Sequence, residues 1–329
     1  MAVERIRRDY CRLFMPAMSP SQLPRVTVFG PDPLLSVTIE ACDGRDEVHV
    51  HPAGQGVWVA RMVAELGAQP VLCGLLGGET GTVLRPLLEA LPGELRAVAT
   101  SGSAGSYVID RRADTRSVLA MAARPAPHRH ELDDLLAETV AASLASDVLV
   151  VCNPYPADGF PVELYDRVLA DTRADVRTVV DLSSPRLDHT LAHQPDLVKC
   201  NDWELAEYVR GPVDGRHGLD AARRLIDAGA RAVAVTRAAA PILVLGVDDE
   251  AFEIVPPPFS AGYREGTGDA MTGAVAAGLA RGMTLREALV LGAAAGAANF
   301  LRHGLGTGHR RVIEALTARV VVRPFTVGV

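Results

Sequence analysis

Val148-Leu149-Val150-Val151-Cys152 is followed, after a polar and proline-containing stretch, by the amphipathic segment Glu163 to Asp171 and then by a second strand-like run, Val176 to Asp181. A short uninterrupted apolar run reads as a strand buried on both faces, and a helix-length segment between two such runs reads as the crossover joining parallel neighbours. Outward from this unit the rhythm repeats. Val26-Thr27-Val28-Phe29, Val71-Leu72-Cys73, Leu197-Val198 and Ala232 to Thr236 are predicted strands, and Gly56 to Leu66, Thr80 to Leu91, Glu131 to Leu144, Asp202 to Val209 and Gly218 to Ala228 are predicted helices. The expected fold is α/β, with a mostly parallel sheet covered on both faces.

Two segments break the rhythm with period-2 alternation: Val37 to Ala41 with Glu47 to His51, and Tyr107 to Asp110 with Ser117 to Ala120. They read as hairpins turning at Asp43-Gly44 and near Asp114. One face of such hairpins is exposed unless it covers something, so a small β lid is expected, over a site or against a second subunit; functionless surface hairpins are the alternative. Towards the C-terminus a polar loop, Ser260 to Gly268, leads into an Ala- and Gly-rich helix from Asp269 to Arg281. A second helix, Leu285 to His303, the loop Gly304 to Gly308 and a helix from Arg310 to Thr317 follow.

Composition narrows the function. A net charge of −7 over 329 residues provides no basic footprint for nucleic acid. The longest uncharged apolar run, Ala288 to Leu301, has 14 residues, short of the roughly 20 that span a bilayer, so no membrane partner is expected. Five cysteines scattered singly are neither a disulfide framework nor a zinc signature and fit a reducing cytoplasm. Residues 1–24 read as an N-terminal extension without a secretory apolar stretch, with Met15 and Met18 as alternative starts. His189 and His193 have i,i+4 spacing without a third ligand, so no metal site is expected there; His49 and His51 share one face of a lid strand and read as solvated or as contacts to an anionic substrate. Phosphate-loop, dinucleotide-fingerprint and nucleophile-elbow motifs are absent. Of 33 basic residues only Lys199 is a lysine, which chance explains, as does a task for a compact ammonium that the planar guanidinium of Arg does not suit.

The strongest chemical signal is Gly266-Thr267-Gly268-Asp269 followed by Ala270-Met271-Thr272-Gly273-Ala274. Glycines at a loop-to-helix junction leave amides open to an anion, and the helix dipole favours one there. Asp269 in the first turn would repel that anion unless it accepts a proton from an attacking hydroxyl; the bland alternative is an acidic residue complementing the dipole.

The run Gly266 to Gly282 resembles the C-terminal signature of the PfkB family of carbohydrate kinases, with Thr267 in place of the usual Ala. The resemblance extends through Leu291 to Ala298 and His303 to Gly308. Upstream, Lys199-Cys200-Asn201-Asp202-Trp203-Glu204 is similar to the family's Lys-Pro-Asn-x-x-Glu, and Ala53 to Arg61 with Leu75 to Gly81 is similar to the N-terminal signature of its 1-phosphofructokinase and tagatose-6-phosphate kinase branch. It implies a ribokinase-like three-layer α/β/α domain over residues 25–325, with the β lid inserted at about 36–51 and 105–122 and a homodimer formed through that lid. It further implies transfer of a phosphoryl group from ATP, with Mg²⁺, to a hydroxyl of a sugar phosphate or sugar. By the same resemblance Asp269 is the base and Gly266, Thr267 and Gly268 form the anion hole. Lys199, Asn201, Glu204, Thr236, Arg237, Asn299 and Gly304 hold the nucleotide, Glu204 organises Mg²⁺ through water, and Asp32, Gly54, Gln55, Gly56 and Trp58 hold the acceptor.

Departures cluster where the family holds sugar and nucleotide. Ser36 stands where the family has a sugar-binding Asp, Gln55 replaces the Lys of Gly-Gly-Lys-Gly, and Trp58 replaces an Asn. Cys152-Asn153-Pro154-Tyr155-Pro156 replaces Ser-Gly-Ser-Leu-Pro, Thr236 to Pro241 replaces Ser-Leu-Gly-Ala-Asp-Gly, and Tyr263 stands at an Asp or Asn position. A nucleoside kinase of the same fold and a non-catalytic sensor of nucleotide or sugar phosphate are therefore the alternative functions.

Overall fold

The computed structural model describes residues 23–113, 116–155, 159–238, 240–246, 250–302 and 304–326. In chain order the elements are β1 (Arg25–Phe29), β2 (Leu34–Cys42), β3 (Arg45–Ala53), α1 (Gln55–Glu65), β4 (Gln69–Gly77), α2 (Gly78–Glu89), β5 (Glu94–Thr100), β6 (Ser106–Asp110), β7 (Ser117–Ala122), α3 (Arg129–Ser143), β8 (Val148–Cys152) and α4 (Val162–Ala170). There follow β9 (Arg177–Asp181), α5 (Arg186–Thr190), β10 (Leu197–Asn201), α6 (Asp202–Val209), α7 (Gly215–Asp227), β11 (Ala232–Arg237), β12 (Ala240–Gly246), β13 (Ala251–Val255), α8 (Thr267–Ala280), α9 (Leu285–Phe300), α10 (Arg310–Thr317) and β14 (Val321–Pro324).

The main sheet runs β14-β13-β12-β11-β10-β9-β8-β1-β4-β5. From β11 to β5 every pair is parallel, and β12, β13 and β14 add antiparallel to β11. The expected mostly parallel sheet is thus present, and the structure adds β5 and the antiparallel β12 to β14, which the sequence reading does not contain. Side-chain alternation splits each strand between two cores. Val150, Cys152, Val179 and Leu197 pack with the side formed by α1, α8 and α9, whereas Val151, Val180, Val198 and Cys200 pack with the side formed by α3, α4, α6 and α7. By the same alternation Asp181 and Lys199, two residues on from Val179 and Leu197, fall on the α8 side at the C-terminal ends of their strands.

The chain leaves β1 for β4 on one side and later returns to β8 on the other. The crevice beyond the carboxyl ends of these strands is where open α/β sheets place their ligands. Small residues bring the helices close there. A Cβ on Gly273 of α8 would lie 2.6 Å from the Val59 carbonyl of α1, and one on Gly292 of α9 would lie 2.8 Å from Val275 of α8.

Over this crevice lies the second sheet, β3-β2-β6-β7, built from both alternating segments. The first hairpin turns at Asp43-Gly44, both in the left-handed region with φ of 51° and 75°. The turn expected near Asp114 lies outside the described residues, as do Met15, Met18 and the extension up to residue 22, Pro156, Ala239 and His303. The helix expected to reach His303 ends at Phe300.

Candidate active site

Gly266 caps α8 in the left-handed region, φ 76°, and a Cβ there would lie 2.9 Å from the Gly306 amide, so glycine is needed both for conformation and for the close approach of the following loop. A Cβ on Gly268 would lie 2.8 Å from Lys199 Nζ. The single lysine therefore stands against the first turn of α8, beside Asp269. One expectation is corrected here. Thr267 commits both its amide, 3.2 Å, and its hydroxyl, 2.8 Å, to the Arg264 carbonyl and does not join the anion hole in this conformation.

Lys199 is buried and pairs with Asp181 at 3.2 and 3.1 Å, and Asp181 also accepts from the Thr272 hydroxyl at 2.5 Å. Asp181 is a site residue the sequence reading missed. Its signal was a carboxylate ending an otherwise buried strand at the ligand edge of a parallel sheet. Burial alone would lower the proton affinity of Lys199, but Asp181, Glu204 and Asp269 outweigh it and hold the ammonium charged. Burial raises Asp269 to about 7; Asp181 and Glu204 add to the rise, while Lys199 and the nearby Gln55 side chain oppose it. A carboxyl poised near 7 has the proton affinity a general base needs at neutral pH.

Asn201 and Glu204 form a capping box on α6. The Asn201 side chain accepts from the Glu204 amide at 2.8 Å, and Glu204 Oε2 accepts from the Asn201 amide at 2.8 Å. Burial, then Asp181, raises the Glu204 carboxyl. Asp181, Glu204 and Asp269 around one ammonium leave an excess of negative charge that a divalent cation would offset. Carboxylate oxygens are the donor type that Mg²⁺ takes while keeping several of its waters; among the described residues no group of three or more His, Cys, Asp or Glu side chains is placed to hold a metal ion by itself.

The other residues expected at the nucleotide end have partners within the protein. Arg237 donates to Glu253 at 2.6 Å and to the Pro241 carbonyl at 2.7 Å, tying together the antiparallel strands. Thr236 reaches only the Cys200 carbonyl, at 3.4 Å. Asn299 is fully buried, donates to the Glu265 carbonyl and accepts from the Thr307 amide, both at 3.0 Å, so it shapes the two loops around Gly266. Gly304 lines the cavity under the lid.

At the acceptor end, Asp32 is buried against Arg124 at 2.7 Å, with side-chain exposures of 1% and 3%. Arg124 also donates to the Leu75 carbonyl at 2.7 Å and to Thr100 at 3.1 Å. Asp32 thus anchors the lid root and does not face the cavity, which corrects its expected role. Gly54, φ 106°, caps α1 beneath the Asp32 carbonyl, and Gly56 abuts Gly30, where a Cβ would lie 2.6 Å from its Cα. Gln55 accepts from the Asn153 amide at 2.6 Å. Trp58 is half-buried, and the backbone at Gly306 rests on it.

Between lid and crevice lies a cavity of about 400 Å³ lined by Ser36, Thr38, His49, His51, Trp58, Arg61, Tyr107, Arg111 and Arg116, among others. Register explains the polar lining. Ser36 pairs with His51 and Tyr107, and Thr38 with His49, so these side chains share one sheet face. Burial, then Arg61 and His49, lowers the His51 imidazole. Arg61, Arg111 and Arg116 were missed by the sequence reading because three arginines among many carry no local mark. His193, of the i,i+4 pair, meets Asp166 at 2.8 Å.

A profile described as pfkB family carbohydrate kinase matches residues 41–310. The chain is 30% identical over 263 residues to ATP-dependent 6-phosphofructokinase isozyme 2 of Escherichia coli K12, spanning 77% of this chain and 82% of that protein. It is 31% identical over 255 residues to 1-phosphofructokinase of Rhodobacter capsulatus, spanning 72% and 76%. The structure of phosphofructokinase-2 from Escherichia coli in complex with potassium superposes with a TM-score of 0.79 at 23% identity, covering 90% of this chain and 99% of that one. Ribokinase from Thermotoga maritima superposes with a TM-score of 0.69 at 18% identity, covering 89% and 99%.

Proposed function

The chain belongs to the pfkB family of carbohydrate kinases, and on that premise we propose that it transfers the γ-phosphoryl group of ATP to a hydroxyl of a sugar phosphate held under the lid. The observation that carries this reading is Asp269 in the first turn of α8 with the Lys199 ammonium against Gly268.

Asp269 takes the proton of the acceptor hydroxyl as that oxygen attacks phosphorus, and the bond to the ADP oxygen breaks. The helix N-terminus at Gly266 and Gly268 and the Lys199 charge stabilise the oxygens of the transferring group. Mg²⁺ would be held through water near Glu204 and would supply charge neutralisation at the phosphates. Arg61, Arg111 and Arg116 around the cavity favour an anionic acceptor over a free sugar. A nucleoside acceptor is the second reading, favoured by the Trp58 indole on the cavity wall, on which a planar base stacks.

The remaining features follow from the same reading. Residues 25–325 form the kinase domain with the lid inserted in it. The lid's outer face carries Val37, Ile39, Val48, Val50 and Val108, paired Val37 with Val50 and Val108, and Ile39 with Val48. Val48 is 62% exposed. An apolar sheet face open to water calls for a partner, and a second copy of the chain laying its own lid there makes a homodimer. The described cysteines are unpaired, as in a reducing cytoplasm, and no described helix is long and apolar enough to cross a membrane.

The test is ADP release from ATP and Mg²⁺ over hexose 1- and 6-phosphates, free hexoses, pentoses and nucleosides, beside Asp269→Asn. Turnover with a sugar phosphate that the variant loses is the expected result. Turnover with nucleosides alone would replace it by the second reading, and binding of ATP without turnover of any acceptor would favour a sensor. Light scattering is expected to give a dimer mass that Val48→Asp reduces to a monomer.

A further inference from the structure

Thr272 stands in the second turn of α8 and is buried, with 1% exposure. Its hydroxyl lies 2.5 Å from Asp181 Oδ2 and 3.1 Å from the Gly268 carbonyl. A hydroxyl has a single proton, and the shorter, charge-assisted bond to the carboxylate takes it. The consequence falls on Lys199. Both Asp181 oxygens accept from its ammonium, Oδ1 at 3.2 Å and Oδ2 at 3.1 Å. That arrangement holds only while the carboxylate plane faces Nζ, and the Thr272 bond at Oδ2 fixes the rotation of the plane. The same ammonium stands against Gly268, where a Cβ would lie 2.8 Å from Nζ. Asp181 engages two of its three donors, and the third is left for an oxygen at the N-terminus of α8.

We propose that Thr272 is a positioning residue for Lys199: its hydrogen bond to Asp181 ties β9 to α8 and sets the ammonium where it meets the transferring phosphoryl group at the helix N-terminus. The inference rests on the reading of Lys199 as a partner of the phosphates. It requires the hydroxyl itself. Valine has the shape of threonine without the donor, so it would leave Asp181 Oδ2 with the ammonium alone and the carboxylate able to turn, Lys199 with it. A threonine that only filled the core, or that bonded only the carbonyl four residues back, would give way to valine without any effect on the lysine.

The experiment compares wild type with Thr272→Val and with Thr272→Ser, which restores the hydroxyl. Lys199 is the only lysine of the sequence, so protein grown with ¹⁵Nζ-lysine carries one side-chain NMR signal that needs no assignment. In protein free of substrates that signal is expected to move in Thr272→Val, with faster exchange of the ammonium protons with water, and to stay as in wild type in Thr272→Ser. With the acceptor that wild type turns over, Thr272→Val is expected to lower kcat about tenfold, the size of one hydrogen bond to a charged group. KM for the acceptor should stay unchanged, and Thr272→Ser should recover kcat. A lysine signal in Thr272→Val that coincides with wild type overturns the proposal. So does a moved signal with kcat unchanged, and so does a kcat loss that Thr272→Ser shares. If Thr272→Val does not fold, Thr272→Cys, whose thiol is a weak donor, takes its place under the same criteria. The lysine signal needs no acceptor: a moved signal in a protein that turns over nothing in the acceptor panel faults the kinase reading, and an unmoved one faults the positioning.

Discussion

The two ends of the crevice are built in opposite ways. At the base end, Lys199, Asp181 and Thr272 are buried and hydrogen-bonded in series, with Asp269 in the adjoining first turn of α8. At the lid end, Ser36, His49, Trp58, Arg61 and Arg116 each present a side chain to a cavity of about 400 Å³. Groups that partner each other are held in one geometry before any ligand arrives, which is what a reaction common to many acceptors requires. The lid-end groups have looser partners, His49 near Glu47 and Arg116 over the Tyr107 ring, and line the space that the proposed acceptor would enter. Motif resemblance is close at Lys199, Glu204 and Gly266 to Asp269, and broken at Ser36 and Trp58, which line the lid-end cavity, and at Gln55, the first residue of α1.

The sharpest test of the contrast is at the base. Asp269→Asn is expected to lower kcat by roughly 10²–10⁴-fold while the Kd for ATP, measured by calorimetry, stays within about twofold. Near-normal turnover would remove the base end from the chemistry and break the comparison.

Each end is also founded on one buried ion pair, Asp181 with Lys199 and Asp32 with Arg124. Lys199→Met and Arg124→Met each leave a buried carboxylate uncompensated, so each is expected to lose about 3–5 kcal/mol in urea unfolding. Equal losses would show that the ends differ in chemistry and not in rigidity. A much smaller loss for Arg124→Met would show a lid root open to water. A milder effect is expected for Trp58→Asn, which restores the family's residue type. It should change KM for the acceptor by about tenfold, on the order of the 0.5–1.5 kcal/mol of an aromatic contact, with KM for ATP unchanged.

How much of this was legible follows from where partners lie in sequence. The unit β8-α4-β9 is readable because two strands buried on both faces have few interruptions. Strand β13 is not, because Glu253 stands in its middle and its carboxylate is satisfied by Arg237 and Arg323 from β11 and β14. In the site, Asp269 and Lys199 carry their own marks, a glycine junction and a solitary lysine. Asp181 and Arg124 do not, since their partners Thr272 and Asp32 are 91 and 92 residues away. Asp32 was misread for the same reason: a charge before a lid strand looks pocket-facing until the arginine that buries it is seen. Asn299 and Arg237 likewise look like ligand contacts until their backbone and strand partners are known.

The smallest predicted effect gives the two ends opposite signs. Asp269 holds its proton in the folded protein up to about pH 7, whereas an unfolded Asp releases it near about 3.9. Between those values unfolding releases a proton, so stability falls as pH rises through the window and levels off above about 7. His51 behaves inversely. Its folded affinity lies below the ordinary value, burial being the main cause, so below about 6.5 the unfolded chain binds a proton that the folded one refuses, and stability falls as pH drops. The Tm difference between Asp269→Asn and wild type should therefore grow from pH 5 to pH 8, and that between His51→Gln and wild type should grow from pH 7 to pH 5. His51 is exposed, so its effect is the smaller of the two, and it is the one that a phosphate-bearing ligand bound under the lid should reverse by favouring the imidazolium. Scanning both variants at the three pH values with and without hexose phosphate separates the ends: a ligand effect on the His51 slope with none on the Asp269 slope places the acceptor's charge under the lid, and equal effects on both place it at the base.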